Sequence, residues 1–109
     1  MNMNKFTTPQ QTLQLLELGM SKPSEKGDVQ ESYLIYPDND GYYRKIDNYD
    51  ICELIGFING RGWSLETTSE GYKCSVWGGV EKPIISKFYG TSIIEVLFDA
   101  VVGTNKVKL

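Results

Sequence analysis

Between Ile93 and Val102 the chain is apolar around nearly the whole circumference of a helix. Ile93, Ile94, Val96, Leu97, Phe98, Ala100, Val101 and Val102 are interrupted only by Glu95 and Asp99. A surface helix needs one apolar stripe, whereas a helix apolar almost all round has to be covered from more than one side. With 109 residues there is material for one modest core and little room for a second domain. The whole fold therefore has to be arranged around this segment. Either a sheet and other helices of the same chain cover it, or a second chain does.

The rest of the sequence supplies the covering elements. Residues 1–5 read as a frayed end. Thr8, Pro9 and Gln11 then start a helix, with Thr8 as cap, Pro9 in the first turn and Gln11 completing a capping box. Leu13, Leu15, Leu16 and Leu18 follow, and Gly19 provides a left-handed stop. Residues 21–31, with Pro23 and Gly27 and almost no apolar side chain, read as a surface loop. Tyr33 to Tyr36 is a short strand of strong β formers; Pro37 to Gly41 is dense turn chemistry, and Tyr42 to Ile46 returns as the second arm of a hairpin.

Asp50 and Glu53 form a second capping box ahead of Ile51, Leu54, Ile55 and Ile58, which fall at helical spacing, and Gly60 and Gly62 end that helix. Residues 63–68 and 72–77 flank Ser69-Glu70-Gly71, read as a three-residue hairpin connection with Gly71 in a left-handed slot. Alternation sets Trp63, Leu65 and Thr67 on one face, and Tyr72, Cys74 and Val76 together on the partner strand. It turns Lys73, Ser75 and Trp77 outward. Residues 84–89 make a short edge strand. Ser92 and Glu95 cap the apolar helix in a third box, and Gly103 stops it. The expected fold is α+β in the order α-β-β-α-β-β-β-α, one domain over residues 1–109. Its sheet is mainly antiparallel, with helices largely on one face.

Composition removes most catalytic chemistry. The chain has no histidine, so His-based triads, His zinc sites and the usual general base near neutral pH are excluded. Cys52 and Cys74 are too few for a disulfide scaffold or a four-thiolate zinc site, and both are expected reduced and buried on apolar faces. Eleven basic against 14 acidic residues give net charge −3, without the basic footprint of a nucleic-acid binder. The start of the chain has no apolar secretory segment and no run is long enough to span a bilayer, which points to a cytoplasmic protein without a membrane partner. The Asp38-Asn39-Asp40 turn lacks the alternating ligands and distal glutamate of a calcium loop. The glycines at 60 and 62 follow a helix rather than precede one, unlike a phosphate loop. Glu53 and Glu95 are the carboxylates to consider for acid–base chemistry, yet each already serves a cap. No catalytic, cofactor or metal residue is assigned.

The aromatic residues are the remaining signal. Trp77 faces outward from its strand, and Tyr36, Tyr42 or Tyr43 can share that outer sheet face if the helices cover only the other one; the competing account is that another helix or the loop 21–31 covers them. Together they form a candidate interaction surface.

Several segments in order carry a resemblance. They are Thr8-Pro9-Gln10-Gln11 leading to Leu15-Leu16-Glu17-Leu18-Gly19, the short helix within Tyr49 to Ile58, Trp63 opening a hairpin, and Gly90-Thr91-Ser92 leading to Glu95-Val96-Leu97-Phe98-Asp99-Ala100. In these the chain resembles small uncharacterised proteins of bacterial phages and integrated mobile elements. The Trp-led hairpin before a Thr-led, Ala-containing helix is similar to phage helix–sheet–helix sandwich domains. The resemblance implies an origin and supplies no reaction and no site residues. The expected function is that of a non-enzymatic phage- or prophage-type accessory protein that binds another protein. One alternative is a single-stranded nucleic-acid binder that stacks bases on sheet aromatics, which the charge disfavours; another is a carboxylate enzyme. No cofactor is expected. The partner is unknown, and a homodimer through the uncovered apolar helix surface is the expectation. The competing account is that the first and last helices cover each other.

Overall fold

The computed structural model describes residues 5–26, 32–78 and 84–105. Among them the elements run α1 (Pro9–Leu18), β1 (Leu34–Pro37), β2 (Tyr43–Ile46), α2 (Ile51–Phe57), β3 (Gly62–Thr68), β4 (Gly71–Gly78), β5 (Ile84–Gly90) and α3 (Ile93–Asn105). The α+β order read from the sequence is the order found. The strands are all antiparallel but form two sheets, a β1–β2 ribbon and a three-stranded sheet in the order β3-β4-β5. Expected features at 1–4 and 27–31 lie outside the described residues; Ser21 to Lys26 run without regular structure.

Caps fix where the helices begin. Thr8 and Gln11 exchange both bonds of a capping box, as do Asp50 and Glu53. Each box satisfies amides that the first helical turn leaves without partners. The third box is only half made. The Ser92 hydroxyl accepts from the Glu95 amide, but the Glu95 carboxylate takes its proton donor from the Thr91 hydroxyl, at 2.9 Å. Gly19 closes α1 in the left-handed region, φ 103°, as expected.

α3 is the centre of the core. Ile94, Val96, Leu97, Phe98, Ala100 and Val101 are all buried. They cluster with Leu15 of α1, Leu54 of α2, and Cys74 and Val76 of β4. The three-stranded sheet lies on one side, and α1 and α2 pack against the same helix. Each fully buried aliphatic side chain contributes about 1.5–3 kcal/mol, and the chain collects this without a second copy. The helix surface that the sequence offered to a dimer is thus covered from within, which removes the reason given for a dimer there.

A buried polar chain ties the N-terminal segment to this core. The Tyr49 amide donates to the Thr7 hydroxyl, which bonds Thr12 at 2.7 Å, and the Thr12 hydroxyl donates to the Asn48 side-chain oxygen. Asn48 in turn donates to the Ser32 carbonyl at 2.9 Å. Phe6 pairs with Asp50 in an isolated bridge. Tyr49 is fully buried, edge-on to Phe57, and donates its hydroxyl to the Ser21 carbonyl at 2.7 Å. Burial first, and Glu53 second, push its phenol pKa up.

Four local expectations are corrected. Gly103 does not stop α3, which continues to Asn105. Its missing side chain leaves room for Phe88, since a Cβ there would sit 2.3 Å from the ring. Cys52 is exposed, because α2 buries Leu54 and turns position 52 to solvent, whereas Cys74 is buried as expected. Burial pushes the Cys74 thiol pKa up. The β3–β4 connection is Ser69-Glu70, two residues long, with Gly71 already paired to Thr68. Finally, Ser75 is on the outer sheet face yet buried, since it sits on the central strand between Ser64 and Lys87.

Candidate functional site

The β1–β2 hairpin begins at a turn where the Asp38 amide donates to the Tyr42 carbonyl and the Gly41 amide to the Asp38 carbonyl. Gly41 takes φ 86°, the left-handed conformation such a turn needs. The turn carboxylates are engaged from β2 and from the segment that follows α1. Arg44 reaches Asp38 at 2.9 Å and Asp40 at 3.0 Å, and Lys22 reaches Asp38 at 3.0 Å. The Asn39 amide, then the Lys22 ammonium, hold the Asp38 carboxyl below its ordinary pKa. These pairs are largely exposed, so each contributes little to stability; their effect is to fix the turn and hence the register.

That register sorts the hairpin side chains onto two faces. The pairs Leu34–Ile46 and Tyr36–Arg44 share one face, and Ile35–Lys45 and Pro37–Tyr43 the other. On the first face Ile46 is buried and Tyr36 half-buried. Tyr36, Asp38 and Arg44 line a groove of about 440 Å³ closed by Lys22 to Glu25. Its cations Lys22 and Arg44 are already matched to carboxylates, so the groove has no free charge from this pair to receive an anion.

The second face is open. Ile35 is 53% exposed and Tyr43 72%. Tyr33, two residues before Ile35, is also exposed, and the Lys45 ammonium lies 5.0 Å from its ring centre. The result is a strip of Tyr33, Ile35, Pro37 and Tyr43, an apolar face on a ribbon only two strands wide. A patch of this kind on a small domain is where contact surfaces are found.

Of the four residues expected to form one surface, the structure divides three ways. Tyr43 is on the open ribbon face. Tyr36 is in the groove on the opposite face, and Tyr42, exposed at the turn, is in phase with Tyr36 and Arg44 rather than with Tyr43. Trp77 belongs to the other sheet, so no single sheet face joins it to the tyrosines. Its indole lies over Gly62, its cross-strand partner; a Cβ on Gly62 would sit 2.5 Å from Nε1. Gly62 thus seats the tryptophan, rather than only ending a helix. Register puts Tyr89, Lys73 and Glu66 on that same outer sheet face, with Lys73 3.6 Å from Glu66.

Sequence reasoning missed Tyr33, Ile35 and Pro37 as site residues. The signal was present, since a hairpin whose turn closes at Asp38 and Tyr42 pairs Ile35 with Lys45 and Pro37 with Tyr43.

The carboxylates weighed for catalysis are apart in role and place. The Glu53 carboxylate accepts from the Asp50 amide in the α2 capping box and from the Ser24 amide, and pairs with Lys26 at 2.7 Å. Burial works to raise its pKa, but the Lys26, Asp50 and Ser24 hydrogen bonds outweigh it and the carboxyl ends below its usual value. Glu95 is on α3, bound to Thr91. Asp99, one turn further on, is held above the usual carboxyl pKa by burial and then by Glu95. Among the described residues no group of three or more His, Cys, Asp or Glu is placed to hold a metal ion, and no helix is long and apolar enough to cross a membrane.

The fold and site define an α+β domain whose most apolar exposed feature, among the described residues, is a two-stranded ribbon. Comparison with family models, curated proteins and solved structures finds no match.

Proposed function

We propose that this protein is a non-enzymatic binding protein that works through protein–protein contact, with the open face of the β1–β2 ribbon as its contact surface. The observation that carries this reading is the concentration of exposed large apolar side chains. Tyr33, Ile35, Tyr42 and Tyr43 stand out within one hairpin, where alternation sets three of them and Pro37 as described. Aromatic and aliphatic anchors of this kind dominate binding energy at protein interfaces. The resemblance of the sequence to small phage and mobile-element proteins fits an accessory role of this sort, in a cytoplasm that keeps Cys52 reduced.

A photo-crosslinking amino acid at position 43, with position 70 on the β3–β4 turn as control, tests the reading in cells that naturally make the protein. Discrete protein adducts from position 43 and none from position 70 are expected. Absence of adducts from 43 would count against the reading.

The second reading is a single-stranded nucleic-acid platform on the outer face of the three-stranded sheet. It is favoured by Trp77 and Tyr89 on adjacent strands with Lys73 and Lys87 nearby. The net charge of −3 opposes it. Fluorescence anisotropy with labelled oligonucleotides at low and high salt separates the two, because steep salt-dependent binding belongs to the platform alone.

A further inference from the structure

We infer that the partner of the open ribbon face is a second copy of this chain, the two ribbons stacking face to face about a two-fold axis. The inference rests on the proposed binding role of that face and names its occupant.

A two-stranded ribbon is marginal in water and gains stability when another layer covers its apolar face. In this chain the other ribbon face is spent on Ile46 and the groove, while Ile35 and Tyr43 stay open. Two such ribbons can stack at the ordinary sheet-on-sheet distance of about 10 Å.

The chain carries net charge −3, which opposes self-association over most surfaces. Around the ribbon the charges cancel locally: Lys22 and Arg44 against Asp38 and Asp40, and Lys45 against Asp47 at 3.9 Å. A two-fold contact sets a patch against itself, so it needs a patch with no net charge. A strongly acidic or basic partner finds no opposite field here.

Tyr33, Ile35, Pro37 and Tyr43 together expose on the order of 500 Å² at the sizes such side chains have. Two copies would bury about 1,000 Å², the lower bound for a specific interface. The dimer is therefore weak and reversible, with association in the micromolar range rather than an obligate assembly.

The edges support stacking over strand addition. Antiparallel alternation from the Asp38–Tyr42 bond leaves Ile35 and Pro37 facing the outer edge of β1, where Pro37 has no amide to donate.

Sedimentation equilibrium from about 5 to 200 µM, the range expected of so small an interface, tests the inference. The average mass should climb toward twice the monomer and persist in high salt. Ile35→Glu, which sets two carboxylates against one apolar face across the axis, should weaken association about tenfold or more, with an unchanged circular dichroism spectrum. Tyr43→Ser serves if Ile35→Glu does not fold. Tyr89→Glu, on the other sheet, should leave association unchanged. A monomer throughout the range, or a dimer indifferent to both ribbon variants, overturns the inference. The two failures are distinct: a monomer that still gives position-43 adducts with another protein keeps the binding role and loses only the second copy.

Discussion

Replacing Gly103 with alanine probes the packing of α3 directly. In an unobstructed helix interior this change gains about 1 kcal/mol from backbone entropy. Here the new methyl would sit 2.3 Å from Cε1 and 2.7 Å from Cζ of Phe88. Phe88 packs against the core cluster from the edge strand β5, so its ring has to leave a filled site. Forcing an extra methyl into packed surroundings costs about 1–3 kcal/mol. The steric term wins, and Gly103→Ala should lose about 1 kcal/mol net, a fall of about 5 °C in Tm for a domain of this size. In a Phe88→Ala background the obstacle is gone, and the same substitution should gain about 1 kcal/mol. Thermal and urea unfolding of the four proteins close a double-mutant cycle, with an expected coupling of about 1–3 kcal/mol. Equal stabilisation by Gly103→Ala in both backgrounds would refute the reasoning, since α3 would then not cross Phe88 at this position.

Other expectations follow from single groups. Cys52 should react with a bulky thiol reagent within the native state, while Cys74 should wait for unfolding, as timed mass spectrometry would read. The two half-buried carboxylates should respond to acid with opposite signs. The Glu53 pKa is lowered by folding, so the stability it lends is present above the ordinary glutamate value of 4.5 and is lost as pH falls through the lower folded value. Glu53→Gln should therefore lower Tm at pH 7 and converge on the parent toward pH 3. The Asp99 pKa is raised, so its ionised form costs stability at neutral pH; Asp99→Asn should raise Tm at pH 7, with the gain shrinking as pH falls through the folded value.

Local chemistry made much of this fold legible. Thr8 with Gln11 and Asp50 with Glu53 are capping boxes that depend on residues three apart, and Gly19 is a stop that depends on one. Strand alternation likewise put Cys74 and Val76 on the buried face. What depended on distant neighbours was not legible. Gly103 looks like a stop until Phe88 is seen lying against it, and Gly62 looks like a helix end until Trp77 covers it. Cys52 borders an apolar stripe in sequence, but the angle at which α2 meets α3 decides which border is wet. The candidate surface suffered most. Tyr36, Tyr42, Tyr43 and Trp77 were united by assuming one sheet, whereas the strands split into two. Alternation within a hairpin survives such an error. Membership of a common face does not.

The central claim is that the Tyr33–Ile35–Pro37–Tyr43 face is the working surface of the molecule and that a second copy of the chain is what it meets. Amide spectra of isotopically labelled protein, recorded over a concentration series, test it most directly. The account predicts concentration-dependent shifts confined to residues 33–45, with those of β4 and β5 unmoved. Shifts that instead cluster at Trp77 and Tyr89, or no shifts at any concentration, would contradict it.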